Sequence, residues 1–170
     1  MNMDILDLIK RRRSVRSYKS DPIPQKSLEK ILEAARFAPS AYNSQSLKFI
    51  LVSDSKKKQE LAKAANNQMF ISKAPLIIVG VALNPEHLMP CGVYSYPVDL
   101  AIAMDHITLA ACEQGLGTCW IGAFSQEEAK NVLNIPDNHK IVTMMPIGFP
   151  ADSPNPKKRK ELKEIIAFLS

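Results

Sequence analysis

Two compact basic groups lie near the two ends of this 170-residue chain: residues 12–16 (RRSVR) and residues 157–159 (KKR). A guanidinium offers paired planar donors to phosphate oxygens, a lysine adds a point charge, and the Ser14 hydroxyl can donate one more hydrogen bond. The sequence therefore predicts that both groups close on one phosphate. Basic runs of this kind are also typical of a solvated helix face or a nucleic-acid patch.

Side chains that catalyse reactions by themselves are not grouped in this sequence. Cys91, Cys112 and Cys119 are an odd number without a CxxC pair, which fits neither a disulfide framework nor a zinc ribbon. The three histidines are scattered, so we expect no metal site and no catalytic side chain. The motifs GxGxxG, GxxxxGK[ST], GxSxG and HExxH do not occur. Arginines that bind phosphate in such a chain point to a cofactor that performs the chemistry.

The composition is that of one globular domain. Hydrophobic residues make up 46% and charged residues 23%, and 170 residues are enough for one full core, so we expect a single domain over residues 1–170. The net charge of +5 favours anionic partners. The cysteine usage predicts a reduced, cytoplasmic protein, and the short apolar runs predict neither export nor a membrane span.

Apolar periodicity predicts helices and strands that alternate along the chain. Helices are predicted at residues 4–13, 24–38, 55–65, 98–114 and 125–133, and strands at 49–52, 76–82 and 140–147, with a short strand or turn at 119–122. The segment 76–82 (LIIVGVA) is continuously apolar, which places it in the middle of a sheet. These elements leave α+β and α/β open, in either case with one mixed sheet layered by helices.

Two apolar surfaces need a packing partner. The helix predicted at 98–114 has apolar or small residues on nearly every side, which fits either a core helix or a helix packed between the sheet and a second subunit. The C-terminal residues Leu162, Ile165, Ile166 and Leu169 follow helical spacing. They require an apolar surface on their own subunit or on a partner.

Six short segments follow one another in a characteristic order: 12–18 (RRSVRSY), 38–45 (APSAYNSQ), 67–71 (NQMFI) before Ala74-Pro75, 115–122 (GLGTCWIG), 148–150 (GFP) and 157–159 (KKR). Together they resemble the nitroreductase family of FMN-dependent oxidoreductases, over nearly the whole chain. One such motif carries little weight, whereas six in order form a specific pattern. The resemblance implies an α+β fold, a three-layer α-β-α sandwich with a mixed central sheet, in an intertwined homodimer.

The resemblance also assigns FMN contacts to the following residues: Arg12, Arg13, Ser14, Arg16, Pro39, Ser40, Asn43, Asn67, Trp120, Ile121, Gly122, Lys157 and Arg159. The N-terminal and C-terminal basic residues hold the phosphate, whereas Arg16 and Asn67 lie at the pyrimidine edge of the flavin. Ile121 and Gly122 present backbone N–H groups to the ring nitrogen that receives hydride. The loop that follows Pro39 reaches the FMN held mainly by the other subunit.

The activity implied by the resemblance is hydride transfer from NADH or NADPH through FMN to an electron-poor small molecule, such as a nitroaromatic or a quinone, by a ping-pong mechanism. The same fold and cofactor can also serve dehydrogenation or reductive dehalogenation. A non-enzymatic basic module that binds RNA or another polyanion is a further alternative. The 6% aromatic content argues against it, because bases would find few stacking platforms. We therefore expect no nucleic-acid partner and no membrane partner.

Overall fold

Helices and strands alternate along the chain as the periodicity predicts. The computed structural model describes residues 4–169. The helices are Ile5–Arg11 (α1), Gln25–Arg36 (α2), Ser55–Ala64 (α3), Phe70–Lys73 (α4), Ser95–Glu113 (α5) and Gln126–Leu133 (α6). The strands are Leu47–Val52 (β1), Leu76–Ala82 (β2), Gly117–Thr118 (β3) and Lys140–Gly148 (β4). Short 3₁₀ turns occur at Ala41–Asn43 and Leu162–Glu164.

The strands form one sheet in the order β1-β2-β4-β3, and every neighbouring pair is antiparallel. Strand β2 is buried along its whole length, which confirms its predicted central position. β2 begins opposite the end of β1, where Ile77 pairs with Val52, so the connection between them stays at one end of the sheet. The α+β prediction is confirmed. We expected a sheet with both parallel and antiparallel strands. The only parallel pairing in residues 4–169 is a single bridge between Ser14 and Thr118.

The alternation of side chains along the strands separates two cores. On one face, strand residues such as Ile77 and Met144 pack with α3, α4 and α6. On the other face, residues such as Ile78 and Met145 pack with α2 and α5. Helices therefore cover both faces of the sheet, and the predicted three layers are confirmed.

Two segments leave apolar side chains uncovered. Helix α1 has no buried residue, and Ile5 is 67% exposed. After β4 the chain continues as a tail in which Leu162 and Ile165 are exposed and Leu169 is 99% exposed. Within the described residues, the helical spacing of this tail produces one 3₁₀ turn and no contact that buries it. Within these residues, the tail therefore does not pack on the core of its own chain.

Candidate functional site

The N-terminal basic segment runs along the outer edge of the sheet, beside β3. The Val15 N–H donates to the carbonyl of Thr118 at 2.9 Å, and the Val15 side chain is buried. This approach requires glycine at position 117, because a Cβ there would lie 2.5 Å from Cγ2 of Val15. Since neighbouring residues of an extended segment point in opposite directions, Ser14 and Arg16 on either side of Val15 are exposed.

A cavity of ≈400 Å³ lies next to this segment. Its wall includes three consecutive arginines, Arg11 to Arg13, together with Thr108 and Cys112 from α5. The segment 150–154, where the C-terminal tail begins, contributes Pro150, Asp152, Ser153 and Pro154. The cavity therefore joins the first basic group to the start of the tail.

The tail is anchored beside the first basic group and then leaves it. The Ala151 N–H donates to the Ser17 carbonyl at 2.9 Å, and Pro150 forms an isolated antiparallel β-bridge with Tyr18. Lys157 follows three residues after the cavity wall ends, which is a reach of about 10 Å of extended chain. Lys157 and Arg159 are exposed and are not among the residues of the cavity wall, so their closure on one phosphate stays a prediction.

Two thiols lie close to the arginines. Burial raises the pKa of Cys119 above its usual range, and the charges of Arg16 and Arg12 only partly offset that rise. Burial likewise raises the pKa of Cys112, against the charges of neighbouring arginines. Because the thiolate is the reactive form, both thiols are poor nucleophiles at neutral pH.

Gly122 has an open environment at the same edge of the sheet. Its neighbour Ile121 exchanges two backbone hydrogen bonds with Met144, so the Ile121 N–H is already engaged. The Gly122 N–H finds no acceptor within residues 4–169, and a Cβ on Gly122 would meet no atom within 4 Å. The expectation that both residues present an N–H to a ligand is thereby narrowed to Gly122.

Asn67 lies on a turn that packs against the residue after Gly122. The Gln68 side-chain amide donates to the carbonyls of Ala65 at 3.0 Å and Ala123 at 3.3 Å. Asn66 and Asn67 adopt left-handed backbone angles, with φ of 55° and 58°, a conformation that asparagine tolerates better than most residues. The Asn67 side chain is exposed at the same end of the molecule as Gly122.

Trp120 connects this edge to α5. Its indole Nε1 donates to Oγ1 of Thr108 at 3.2 Å, and Thr108 also forms part of the cavity wall. Trp120 is 40% exposed, so it is not a buried core residue. This hydrogen bond ties the indole ring to a residue of the cavity wall.

The loop that follows Pro39 lies elsewhere. The Ala41 N–H donates to Oδ1 of Asp99 at 2.9 Å, and Asp99 is in the N-terminal half of α5. Cys112, in the wall of the arginine cavity, is thirteen residues further along the same helix, about 20 Å along its axis at 1.5 Å per residue. Within one chain, Pro39, Ser40 and Asn43 are therefore not brought to the arginines.

Other kinds of site receive no support from residues 4–169. No group of three or more His, Cys, Asp or Glu side chains in this part of the chain is placed to hold a metal ion. None of its helices is long and apolar enough to cross a membrane.

Comparison with known proteins agrees with the geometry. The sequence profile of the Nitroreductase family matches residues 9–91 and 95–149. An FMN reductase (NAD(P)H) from Bacillus subtilis is 32% identical over 86% of this chain and 66% of its own length. A nitroreductase family protein from Clostridium novyi NT superimposes with a TM-score of 0.84 at 39% identity, covering 89% of this chain and 87% of the other.

The NADPH:FMN oxidoreductase from Vibrio harveyi, solved in complex with NAD+, superimposes with a TM-score of 0.89. It is 26% identical and covers 98% of this chain and 77% of the other. The profile match extends over most of the chain and includes the N-terminal basic segment, the loop after Pro39 and the segment around Gly122. The chain belongs to the nitroreductase family.

Proposed function

We propose that two copies of this chain form a homodimer with an FMN site at each end of the interface. In each site, the arginines and Gly122 of one chain and the residues Ser40 and Asn43 of the other contact the same FMN. The chain is an FMN-dependent NAD(P)H oxidoreductase of the nitroreductase family, in keeping with its relatives. The electrons pass to an electron-poor small molecule, such as a nitroaromatic or a quinone.

The described residues fit FMN at both of its ends. The arginine cavity offers guanidinium donors to a phosphate, and the tail that carries Lys157 and Arg159 starts in its wall. At the other end, the space beside Gly122 lets a flat ring approach the backbone closely, and the unpartnered Gly122 N–H can donate to a ring nitrogen.

The position of the Ser40–Asn43 loop carries the proposal of a shared site. Helix α5 holds the loop at one end, through Asp99, and the arginine cavity at the other, through Thr108 and Cys112. A rigid helix keeps these two segments about 13–20 Å apart within one chain, which favours a site that takes them from two chains. The two-fold symmetry of a dimer then builds two equal sites.

The uncovered apolar surfaces support the same assembly. Ile5 and Ile9 on α1, Val98 on α5 and Leu169 on the tail are each exposed. Large apolar areas left open on one chain mark interaction surfaces, and a second copy that carries the same surfaces can cover them. A tail that leaves its own core is suited to extend over the partner, in agreement with the predicted intertwined dimer.

FMN, when bound, accepts hydride from NAD(P)H and releases the electrons to the acceptor. The chain contributes binding, orientation and charge. Arg16 places a cation at the pyrimidine edge, where it stabilises the negative charge of the reduced ring. The thiols of Cys112 and Cys119 stay protonated because their pKa values are raised. NAD(P)H and the acceptor would use the same site in turn, which predicts ping-pong kinetics.

Mixed dimers test the shared site. We expect Arg12→Ala and Asn43→Ala each to impair both sites of its own homodimer. In a mixed dimer one site carries both changes and the other carries neither. Random mixing should therefore restore about one quarter of the wild-type sites. FMN content and NAD(P)H oxidation are measured after the two variants are unfolded and refolded together.

The matched control mixes Arg12→Ala with Lys57→Ala, an exposed cation on α3. In this pair every site that contains an intact Arg12 works, whether or not the chains have been mixed. The activity should therefore equal the fraction of chains that keep Arg12, with no gain on mixing. If Arg12→Ala and Asn43→Ala fail to complement, both segments serve the same site within one chain and the shared site is refuted. A folded monomer with a full complement of FMN would refute it as well.

A further inference from the structure

The turn between α2 and β1 has an unusual backbone. Tyr42, Asn43 and Gln45 all adopt left-handed angles, with φ of 54°, 53° and 49°. Asparagine tolerates this region, but a bulky residue such as tyrosine rarely occupies it. Strained residues of this kind persist where the surroundings impose them, and they concentrate at functional sites. Tyr42 is therefore the residue of this turn with the least favourable backbone conformation.

Hydrogen bonds on both sides impose the conformation of Tyr42. The buried carboxylate of Asp99 accepts the Ala41 N–H at 2.9 Å. Oγ of Ser40 accepts the Gln45 N–H at 3.0 Å, and the Ser44 N–H donates to the carbonyl of Ala41 at 3.0 Å. The turn is thus closed on itself and attached to α5.

The consequence is that an aromatic ring faces outward. Tyr42 is 78% exposed, although the core is only a few residues away in either direction. Its one ring contact in residues 4–169 is with His87, edge to face, with centroids 6.0 Å apart and planes at 77°. Exposure of a large ring on a strained and fixed turn fits a surface that receives a ligand.

His87 is fixed as firmly as Tyr42. Its Nδ1 is hydrogen-bonded to Oγ of Ser95 at 3.0 Å, and the Ser95 N–H donates to the His87 carbonyl at 3.1 Å. Ser95 is buried at the start of α5. Since Ser95 engages Nδ1, the other ring nitrogen of His87, Nε2, is left without a partner among the described residues. It can exchange a hydrogen bond with a ligand.

We propose that Tyr42 and His87 form an acceptor wall that selects planar aromatic acceptors with a peripheral oxygen. The acceptor stacks against the Tyr42 ring, and Nε2 of His87 hydrogen-bonds the oxygen. This inference rests on the proposed function, in which Asn43, next to Tyr42, reaches the FMN of the partner. The wall would then lie beside that FMN.

Two acceptors distinguish the wall from the rest of the site. We use the quinone 2-methyl-1,4-naphthoquinone, which can stack, and ferricyanide, which is inorganic and cannot. The main variant is Tyr42→Asn, because asparagine removes the ring yet suits the left-handed backbone. We expect kcat/KM for the quinone to fall about three- to tenfold, mainly through KM, the size of an aromatic contact. Ferricyanide turnover should stay within about twofold.

Companion variants separate the two residues of the wall. Tyr42→Phe keeps the ring and should retain the quinone activity. His87→Ala should lower kcat/KM for the quinone about tenfold, the loss of one hydrogen bond with its ring contact, and leave ferricyanide turnover unchanged. Tyr94→Ala, an exposed tyrosine on the neighbouring turn, is the control and should change neither acceptor.

The outcomes are distinct. A fall of the quinone-to-ferricyanide ratio in Tyr42→Asn and His87→Ala, with FMN content retained, supports the wall. An unchanged ratio in both variants, while NAD(P)H still reduces ferricyanide, overturns the wall and leaves the proposed function intact. If the wild-type protein holds no FMN and reduces neither acceptor, the proposed function fails and the wall with it.

Discussion

Ile121 and Met144 exchange two backbone hydrogen bonds, of 2.9 and 3.1 Å, at the outer edge of the sheet. The carbonyl of Ile121 also accepts the hydroxyl of Thr143 at 3.1 Å. The backbone of Ile121 is therefore fixed on both sides. The next residue, Gly122, presents its N–H and its Cα to open space from a rigid support.

Gly122→Ala should weaken FMN binding without weakening the fold. The added methyl group meets no protein atom within 4 Å, so the thermal unfolding of FMN-free protein should be unchanged. A ring that lies against the backbone would meet this methyl group, and we expect about tenfold weaker binding, or ~1.4 kcal/mol. Flavin titration measures it.

The matched control is Gly117→Ala. Its methyl group would lie 2.5 Å from Val15 Cγ2, so this variant should lower the unfolding temperature. If Gly122→Ala binds FMN as well as the wild type does, the ring does not approach the chain at this point.

Arg12→Ala and Arg159→Ala should each weaken FMN binding about ten- to a hundredfold. Each variant removes a charged hydrogen bond to phosphate, worth about 1.5–3 kcal/mol. Arg→Lys at either position should also lower the affinity, because a lysine lacks the paired planar donors. Fluorescence titration with FMN measures the effect. Lys57→Ala removes one exposed charge elsewhere and serves as the control. Normal titrations of both alanine variants would refute the phosphate site.

Arg16→Ala should change the potential of the bound flavin more than its affinity. Arg16 is exposed on the sheet edge and lies close enough to Cys119 to oppose the rise of its thiol pKa. A cation at the pyrimidine edge stabilises the reduced ring, so its loss should lower the midpoint potential. Potentiometric titration checks this. A strong loss of affinity with an unchanged potential would show that Arg16 binds the phosphate instead.

Local sequence patterns predict the elements of this fold well. The strand predicted at 140–147 is observed at 140–148, and the helix predicted at 98–114 is observed at 95–113. Continuous apolar runs leave few alternatives to a buried strand or a buried helix. The sequence of residues 125–128 (SQEE) predicts a reciprocal capping box, and the structure shows one half of it, in which Ser125 accepts the Glu128 N–H.

The details of the site depend on contacts between distant residues, and local patterns do not contain these. The pairing of Ile121 with Met144 decides which N–H is left free, and only the folded sheet shows it. The resemblance places Asn43 in a loop, but the left-handed angles that turn Tyr42 outward follow from the hydrogen bond that the preceding residue, Ala41, donates to Asp99 on α5. His87, which lacks any neighbouring motif, becomes noticeable only through its contacts with Tyr42 and Ser95.

Asp99→Ala should impair quinone reduction by releasing the turn that carries Tyr42. The variant leaves the partly buried Ala41 N–H without its acceptor, so the acceptor wall loses its fixed position. We expect kcat/KM for the quinone to fall about tenfold, corresponding to ~1.4 kcal/mol. Asp99→Asn keeps a side-chain oxygen that can accept the same N–H, and should restore most of the activity.

Asp54→Ala is the matched control for Asp99→Ala. Asp54 also accepts a backbone N–H, from Lys57 at 2.8 Å, but at the start of α3. Its loss should lower stability by about 1 kcal/mol and leave the kinetics unchanged. If Asp99→Ala behaves in the same way, the Asp99 carboxylate supports the fold alone and does not position the acceptor wall.

Tyr18 should make the protein less stable in alkaline solution. Its hydroxyl donates to the carbonyl of Val15 at 2.7 Å. The carbonyl of Pro146 lies 3.2 Å from the same hydroxyl oxygen and is a second, longer acceptor. Burial raises the pKa of Tyr18, the nearby Cys119 adds to the rise, and Arg16 opposes it. Above about pH 10 the unfolded chain releases this proton and the folded chain keeps it, so the free energy of unfolding falls by up to ~1.4 kcal/mol per pH unit.

Urea unfolding from about pH 8 to about pH 11 measures this dependence. Tyr18→Phe should be less stable than the wild type near pH 8, by ~1 kcal/mol for the lost hydrogen bond, but it should lose less stability as the pH rises. Tyr94→Phe, at an exposed tyrosine, should follow the wild type throughout. The comparison with Tyr94→Phe separates the effect of Tyr18 from that of replacing any tyrosine by phenylalanine. Parallel curves for Tyr18→Phe and the wild type would mean that the folded chain releases the Tyr18 proton as readily as the unfolded chain does.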